Sequence, residues 1–345
     1  MARPSAFPGP RAGAPTPTAP IEVEVGGDVG GDDFAQILPL LEAVYPGRLD
    51  REIWRWQYSG HYLGPPRVAI ARSGGRIVGL QPSIRHEAWW PGGRALAYEL
   101  CHVLTHPEHR RRGIFTALIR AFARHAEEEG ACCVYTFPNR LSYPGFRRAG
   151  SWEHPFSLPL LIRLAAGSGR RRRWPAGRPE GQPIERFDAG VDALGAALLE
   201  RFPAGMVRDH RYLNWRYLEH PRRPYVCLAL RDGPRWRAVA IGRLVEWFGV
   251  RVGAIVELLG DPGSLEPLLV GLEEALVRRG ARALGCLMLP GRGEAGLLQR
   301  LGYRRLPAWA VRKEFFFVVR APGGLPDGLR WPAGWWLSWG DIDSV

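Results

Sequence analysis

The sequence predicts an α/β protein of two consecutive units, each a mixed central sheet flanked by helices. Three observations carry that prediction. A chain of 345 residues exceeds the usual size of one hydrophobic core. Apolar runs of strand length alternate with segments whose apolar residues recur at helical spacing. The second half also repeats landmarks of the first in the same order.

Composition narrows the class. A hydrophobic content of 46% with 23% charged residues is that of a soluble globular chain, and no apolar run reaches the roughly 18 residues of a membrane span. We therefore expect a cytoplasmic protein without a membrane span. The five cysteines, Cys101, Cys132, Cys133, Cys227 and Cys286, lack C-x-x-C spacing and read as small buried hydrophobes, with no metal site. The net charge of +13 raises nucleic acid as a partner. Lys313 is the only lysine, however, and the arginines cluster only at Arg110–Arg112 and Arg170–Arg173, which argues against it.

In order, residues 1–19 are rich in Pro and Ala without the apolar core of a secretory signal, and read as a disordered lead-in. Ile21–Val25 alternates like a strand. Asp32 and Asp33 can cap a helix with Phe34, Ile37, Leu38, Leu41 and Val44 on one face. A short helix follows over Arg51–Tyr58, then a hairpin about Ser73-Gly74-Gly75. An extended segment runs to Trp90, and a strand covers Ala95–Thr105. After Gly113 a helix carries Ile114, Leu118, Phe122 and Ala126 on one face and stops at Gly130. Cys132–Phe137 has the apolar character of a buried parallel strand.

These elements make residues 20–166 a first unit. Residues 167–183, with Arg170–Arg173 among Gly and Pro, read as a linker. Residues 184–320 form a second unit, where Trp215-Arg216-Tyr217 echoes Trp56-Gln57-Tyr58 and Val256-Glu257-Leu258 echoes Tyr98-Glu99-Leu100. Pro290 and Gly302 stand at the same interval as Pro138 and Gly150. The echo fails where the first unit has His109–Gly113; there the second has Asp261-Pro262-Gly263, which suits a phosphate poorly. Residues 321–345 form a tail whose Trp331, Trp335, Trp336 and Trp339 are expected to fold back onto a domain.

The chemistry-bearing stretch is 98–152. A strand, a basic turn ending in Gly113 and a helix together aim free N–H groups at an anion, as a phosphate-bearing cofactor requires. Glu99 is an ionisable group in an apolar strand and a candidate base; a solvent-facing carboxylate, or one paired with arginine, is the other reading. His102 reads as a core histidine or a weaker base.

His106-Pro107-Glu108-His109-Arg110-Arg111-Arg112-Gly113-Ile114-Phe115 resembles the acetyl-CoA signature of the GNAT acyltransferases: Arg or Gln, two residues, Gly, one residue, then Gly or Ala. Asn139 and Phe146-x-x-x-Gly150 resemble that family's second motif. With its weaker second copy the chain is similar to bacterial tandem-GNAT proteins over about residues 20–320. The resemblance implies two GNAT-like folds, with acetyl-CoA as donor and an acetyl group passing directly to a primary amine in a ternary complex. It implies a donor site at Val103, Leu104, Thr105, Arg110, Arg111, Arg112, Gly113, Ile114, Phe115, Thr116, Asn139 and Phe146. Glu99 would be the base. The acid is displaced, because the family's tyrosine falls on Phe146; Tyr143 is the nearest hydroxyl, provided Pro144-Gly145 leaves that turn helical. Phe115 also stands where the family has a small residue. The acceptor can be an amino sugar, a polyamine, an antibiotic or a protein amine. A non-catalytic acyl-CoA binder and a Fem-type aminoacyl or peptidyl transferase are the rival readings. Asp341 and Asp343 would reach the acceptor if the tail crossed the cleft.

Overall fold

The computed structural model describes residues 19–26, 32–47, 50–165, 181–307 and 314–342. The first stretch of chain gives β1 (Ile21–Gly26), α1 (Asp32–Val44), α2 (Arg51–Trp54), β2 (Val68–Ser73), β3 (Arg76–Trp90), β4 (Gly93–Leu100) and β5 (Leu104–Thr105). It continues through α3 (Ile114–Glu128), β6 (Cys133–Thr136), α4 (Tyr143–Ala149), β7 (Glu153–Ser157) and β8 (Leu160–Leu164). The second stretch gives β9 (Gln182–Pro183), α5 (Asp192–Leu199), β10 (Ala204–Met206), α6 (His210–Leu213), β11 (Val226–Asp232), β12 (Arg235–Trp247), β13 (Val250–Gly260) and α7 (Pro262–Arg278). After it come β14 (Ala283–Leu287), α8 (Gly293–Arg300), β15 (Arg304–Arg305), β16 (Phe316–Arg320) and β17 (Trp335–Trp336).

Two mixed sheets result. The first runs β1-β2-β3-β4-β6-β16-β7 and the second β15-β8-β14-β13-β12-β11-β9. Read from opposite ends they correspond strand for strand. In each, one long strand pairs in parallel with the strand after the next helix: β4 with β6, and β13 with β14. The helix between them supplies the crossover.

The correspondence exposes an exchange. β16, from the end of the chain, lies between β6 and β7 in the first sheet, while β8, from the first half, lies between β14 and β15 in the second. Leu160–Leu164 was expected in the first unit and Phe316–Arg320 in the second; each pairs in the other sheet. Both are short apolar strands, and their composition does not say which sheet receives them. The strand expected over Ala95–Thr105 also differs, being cut at Cys101–Val103. Asp32 opens α1, but the side chains of Asp32 and Asp33 lie outside what is described, as does most of the expected linker.

The halves meet across an aromatic seam. α2 and α6 are each capped by an aspartate, Asp50 and Asp209, and each runs into a π-helical turn, Arg55–Ser59 and Asn214–Leu218. These turns bring Trp56 flat against Trp215, ring centroids 4.8 Å apart at 12°. Each indole donates to the other's carbonyl: Trp56 Nε1 to Trp215 O at 2.8 Å, and Trp215 Nε1 to Trp56 O at 3.2 Å. Reciprocal contacts of this kind are those of a two-fold interface inside one chain.

The tail does fold back. β17 pairs with β10, which pairs with β3 of the first sheet. Trp335, Trp336 and Trp339 are buried, whereas Trp331 is 69% exposed, against expectation. Three buried arginines hold the tail. Arg292 donates to Trp335 O and Leu337 O, and Arg216 to Gly340 O and Ile342 O. Arg208 pairs with Glu257 and Asp341, both at 2.7 Å. Asp341 also accepts from Ser338 N and is enclosed in this network, so it serves the tail's own fold and not an acceptor cleft. Asp343 lies outside the described residues.

A fragment of residues 1–165 has no β16, so its first sheet would keep β6 and β7 as unpaired edges. It is expected to lack a cooperative unfolding transition that the full chain shows. A sharp denaturation curve for the fragment would contradict the exchange.

Candidate functional site

β4 and β6 pair in register at Ala97–Cys133, Tyr98–Val134 and Glu99–Tyr135, and their last tie is Thr136 Oγ1 to Leu100 O at 2.8 Å. Beyond it the two strands part. β4 pairs with β3 as far as Ser83–Leu100, and β5 resumes at Leu80–Leu104, so three residues of one strand face two of the other. His102 takes up the extra residue with φ 52°. This bulge swings β5 away from β6. Among the described residues β5 pairs with β3 alone, so Val103, Leu104 and Thr105 line an open notch with one backbone edge free. His102 is not in the core: it is exposed, with Nδ1 2.9 Å from the Tyr58 hydroxyl.

The α3 N-terminus sits at the mouth of that notch. Arg111 (φ 64°) and Gly113 (φ 77°) are both left-handed, and Gly113 is the N-cap without a side-chain hydrogen bond. The first intrahelical acceptor is Gly113 O, taken by Ala117 N. The amides of Ile114, Phe115 and Thr116 therefore have no capping side chain and carry the helix's partial positive charge beside β5, since Ile114 packs on Gly79, the β3 partner of Thr105. Arg110 and Arg111 are exposed beside them. Arg112 is turned elsewhere: Nη1 lies 3.0 Å from His109 Nδ1, and Nη2 donates to Ala19 O at 2.7 Å. It ties the loop to the chain before β1 and is not free for a phosphate.

α4 is helical from Tyr143, since Pro144 falls in the first turn, where its missing N–H costs nothing. Asn139 starts the turn, its Oδ1 accepting from Leu141 N and Ser142 N at 2.9 and 3.0 Å. Phe146, expected at the cofactor, is 1% exposed and packs edge-on against Phe115 and Trp152. It offers a ligand no surface. The bulk of Phe115 is absorbed by α4, its ring filling the space that a Cβ on Gly145 would need. The Tyr143 hydroxyl lies 3.0 Å from His154 Nδ1.

Glu99 and Tyr143 are on opposite faces of the first sheet. Tyr143 belongs with α3 and α4 on one face, while Glu99 shares the other with Ala97, Cys133 and Tyr135. There Glu99, 4% exposed, lies 3.5 Å from His86 Nε2. The pocket around it is lined by Trp56, Gln57, Ile84, Trp215, Arg216 and Gly340, with a volume of about 10 Å³, room for about one water. His86 Nδ1, His86 Nε2 and the Tyr135 hydroxyl are buried without hydrogen-bond partners, as groups facing an ordered water would be.

His86, Tyr135 and His154 were not singled out from sequence, and Arg216 entered only through the Trp215-Arg216-Tyr217 echo. His86 alone left a signal, since it alternates with the buried Ile84 and Ala88 along β3. Among the described residues of the second half, the corresponding helix, α7, has a closed start. Asp261 caps α7, accepting from Gly263 N and Ser264 N at 3.0 Å each. Its carboxyl is held below the usual range, first by the Ser264 hydroxyl. Among the described residues no three His, Cys, Asp or Glu side chains gather as a metal site, and no helix is long and apolar enough to cross a membrane.

Residues 28–154 match the family model for an acetyltransferase (GNAT) domain. Among curated proteins none matches. Solved structures do. A GCN5-related N-acetyltransferase from Anabaena variabilis ATCC 29413 aligns over 86% of this chain and 73% of its own, with TM-score 0.60 and 12% identity. A conserved protein of unknown function from Enterococcus faecalis V583, titled a probable N-acyltransferase, aligns over 87% and 72%, with TM-score 0.62 and 15% identity. A GCN5-related N-acetyltransferase from Kribbella flavida aligns over 87% and 71%, with TM-score 0.57 and 15% identity. At these identities the likeness is one of fold, and its extent takes in both sheets.

Burial makes the seam sensitive to acid. It holds His86 well below the usual histidine range, and it lowers His61 and His220 to about 3, with help from Arg85 and Arg223 respectively. A histidine whose folded pKa is depressed costs nothing above its unfolded value near 6.5. It removes stability as the pH falls from there toward the folded value, because only the unfolded chain binds the proton. For His61 that is about 1.4 kcal/mol per pH unit. Urea midpoints should therefore drop between pH 6.5 and 4, less steeply in His61→Gln, and equal slopes for the two proteins would refute this assignment.

Proposed function

We propose that this chain is an acyltransferase that moves an acetyl group from acetyl-CoA to a primary amine, by direct attack in a ternary complex. The observation that carries the reading is the uncapped start of α3 beside the notch between β5 and β6. Anions favour such a helix terminus, and the free backbone edge of Val103–Thr105 suits the amide groups of a pantetheine arm. Arg110 and Arg111 would meet the phosphates; Asn139 stands at the notch's far rim.

The donor would enter from the α3 face and the amine from the other, where Glu99 lies. Glu99 would take the amine's proton through the one water its pocket can hold, and Tyr143 would supply the proton to the departing thiolate. The second half would be a copy of the first that keeps Glu257 but has closed its helix start with Asp261. One donor per chain follows. The acceptor is a small-molecule or protein amine. Nothing in the pocket's present size admits a bulky group, which favours, as a second reading, a protein that binds acyl-CoA without transferring it.

Calorimetry with acetyl-CoA is expected to give one equivalent per chain, and none for Gly113→Glu, which sets a carboxylate at the helix start. No heat with the wild type, or two equivalents, would end this reading. With an amine panel, Glu99→Gln should lose about a hundredfold in kcat at unchanged KM for acetyl-CoA. Binding without transfer to any amine would leave the second reading standing.

A further inference from the structure

Three polar side chains on the α3 face form one hydrogen-bonded chain. Tyr143 is stacked on Phe316, centroids 4.5 Å apart at 16°, which fixes its ring. Its hydroxyl lies 3.0 Å from His154 Nδ1, and His154 Nε2 lies 3.1 Å from Ser157 Oγ. Ser157 is exposed, while Tyr143 and His154 are half-buried. The chain thus leads from α4 to solvent.

Its place in the fold is specific. β7 runs parallel to β6, both being antiparallel to β16, so Ser157 stands at the end of the sheet where the β5–β6 notch opens. Phe115, in the first turn of α3, packs on Gly145, two residues after Tyr143. The chain therefore lies beside the helix start assigned to the donor.

The histidine has the right protonation. Burial, with Arg147, lowers it below the usual range, against a backbone hydrogen bond at Phe156 and the charge of Glu314. At neutral pH it is an uncharged ring with one proton, bonded at both nitrogens. Such a ring can accept on one side while it gives on the other.

We propose that Tyr143, His154 and Ser157 form a proton relay that returns a solvent proton to Tyr143 after the tyrosine has protonated the CoA thiolate. The proposal rests on the acyl-transfer reading above. As the nitrogen–carbon bond forms and the carbon–sulfur bond breaks, the thiolate takes the Tyr143 hydroxyl proton. The tyrosinate takes the proton from His154 Nδ1, Nε2 takes the hydroxyl proton of Ser157, and Ser157 takes one from water. His154 ends as the other neutral tautomer, and exchange of its ring protons with water restores the first before the next turnover. The proton gained from water balances the one the amine gives up through Glu99. Tyr143 is the catalytic residue; His154 and Ser157 act through it.

Nitrogen-15 spectra of histidine-labelled protein, with and without CoA, test the relay apart from turnover. CoA binding should shift the His154 ring nitrogens, and Tyr143→Phe should abolish that shift. In turnover with the best amine of the panel, Tyr143→Phe and His154→Phe should each lose about a hundredfold in kcat at unchanged KM, and the double variant no more than either. His154→Gln keeps a donor and an acceptor but cannot pass a proton, so it should fail like His154→Phe; rescue by Gln would mean a structural role. CoA binding that leaves the His154 nitrogens unmoved, or additive losses, would overturn the relay. Absence of CoA binding would instead overturn the acyl-transfer reading and take the relay with it.

Discussion

The exchange of β8 and β16 is the constraint from which the rest of the architecture follows. Each sheet is completed by a strand from the far side of the sequence, so neither closes its core alone. The halves are thereby held face to face, which stacks Trp56 on Trp215 and leaves the tail one course, between β10 and the three arginines. The pocket at Glu99 is a product of this closure, since its walls come from α2's turn, β3, α6's turn and the tail. A residue on β4 thus owes its surroundings to Gly340, near the chain's other end.

The two helix starts show how one fold is set to two ends. α3 begins at a left-handed glycine with no side chain to satisfy its amides, and α7 begins at an aspartate that satisfies its own. The first leaves an electrostatic demand open, and the second meets it internally at a cost of nothing but specificity. The carboxylates behind them diverge in the same way. Glu257 is locked by Arg208 and by Tyr217 at 2.9 Å, while Glu99 lies 3.5 Å from His86 Nε2 in a pocket it shares with Arg216, whose guanidinium its charge stabilises. The sheet geometry is shared; the partners decide what each acid can do.

Much of this was legible from sequence because it is local. Gly113 after three arginines, the four-residue spacing of α3's apolar face and the apolar run of β6 all state their structure within a few positions. What was not legible depends on which distant surfaces meet. Leu160–Leu164 reads equally well as the end of one sheet or the edge of another. Phe146 looked like part of the donor site because of its distance from Asn139, yet packing with Phe115 and Trp152 takes it inside. Arg112 belonged to the basic run by sequence, and only the nearness of Ala19 redirects it. His154 and Ser157 sit in a strand without any local mark of the tyrosine that reaches them from α4.

The exchange also sets an order of events during synthesis. When β7 leaves the ribosome the slot beside β6 is empty, and it stays so until Phe316–Arg320 has been made. At the roughly 5–20 residues per second of translation, that is a wait of roughly ten to thirty seconds with two adjacent strand edges and an aromatic face uncovered. An amide hidden in the finished protein is, for that time, an open invitation to the wrong neighbour.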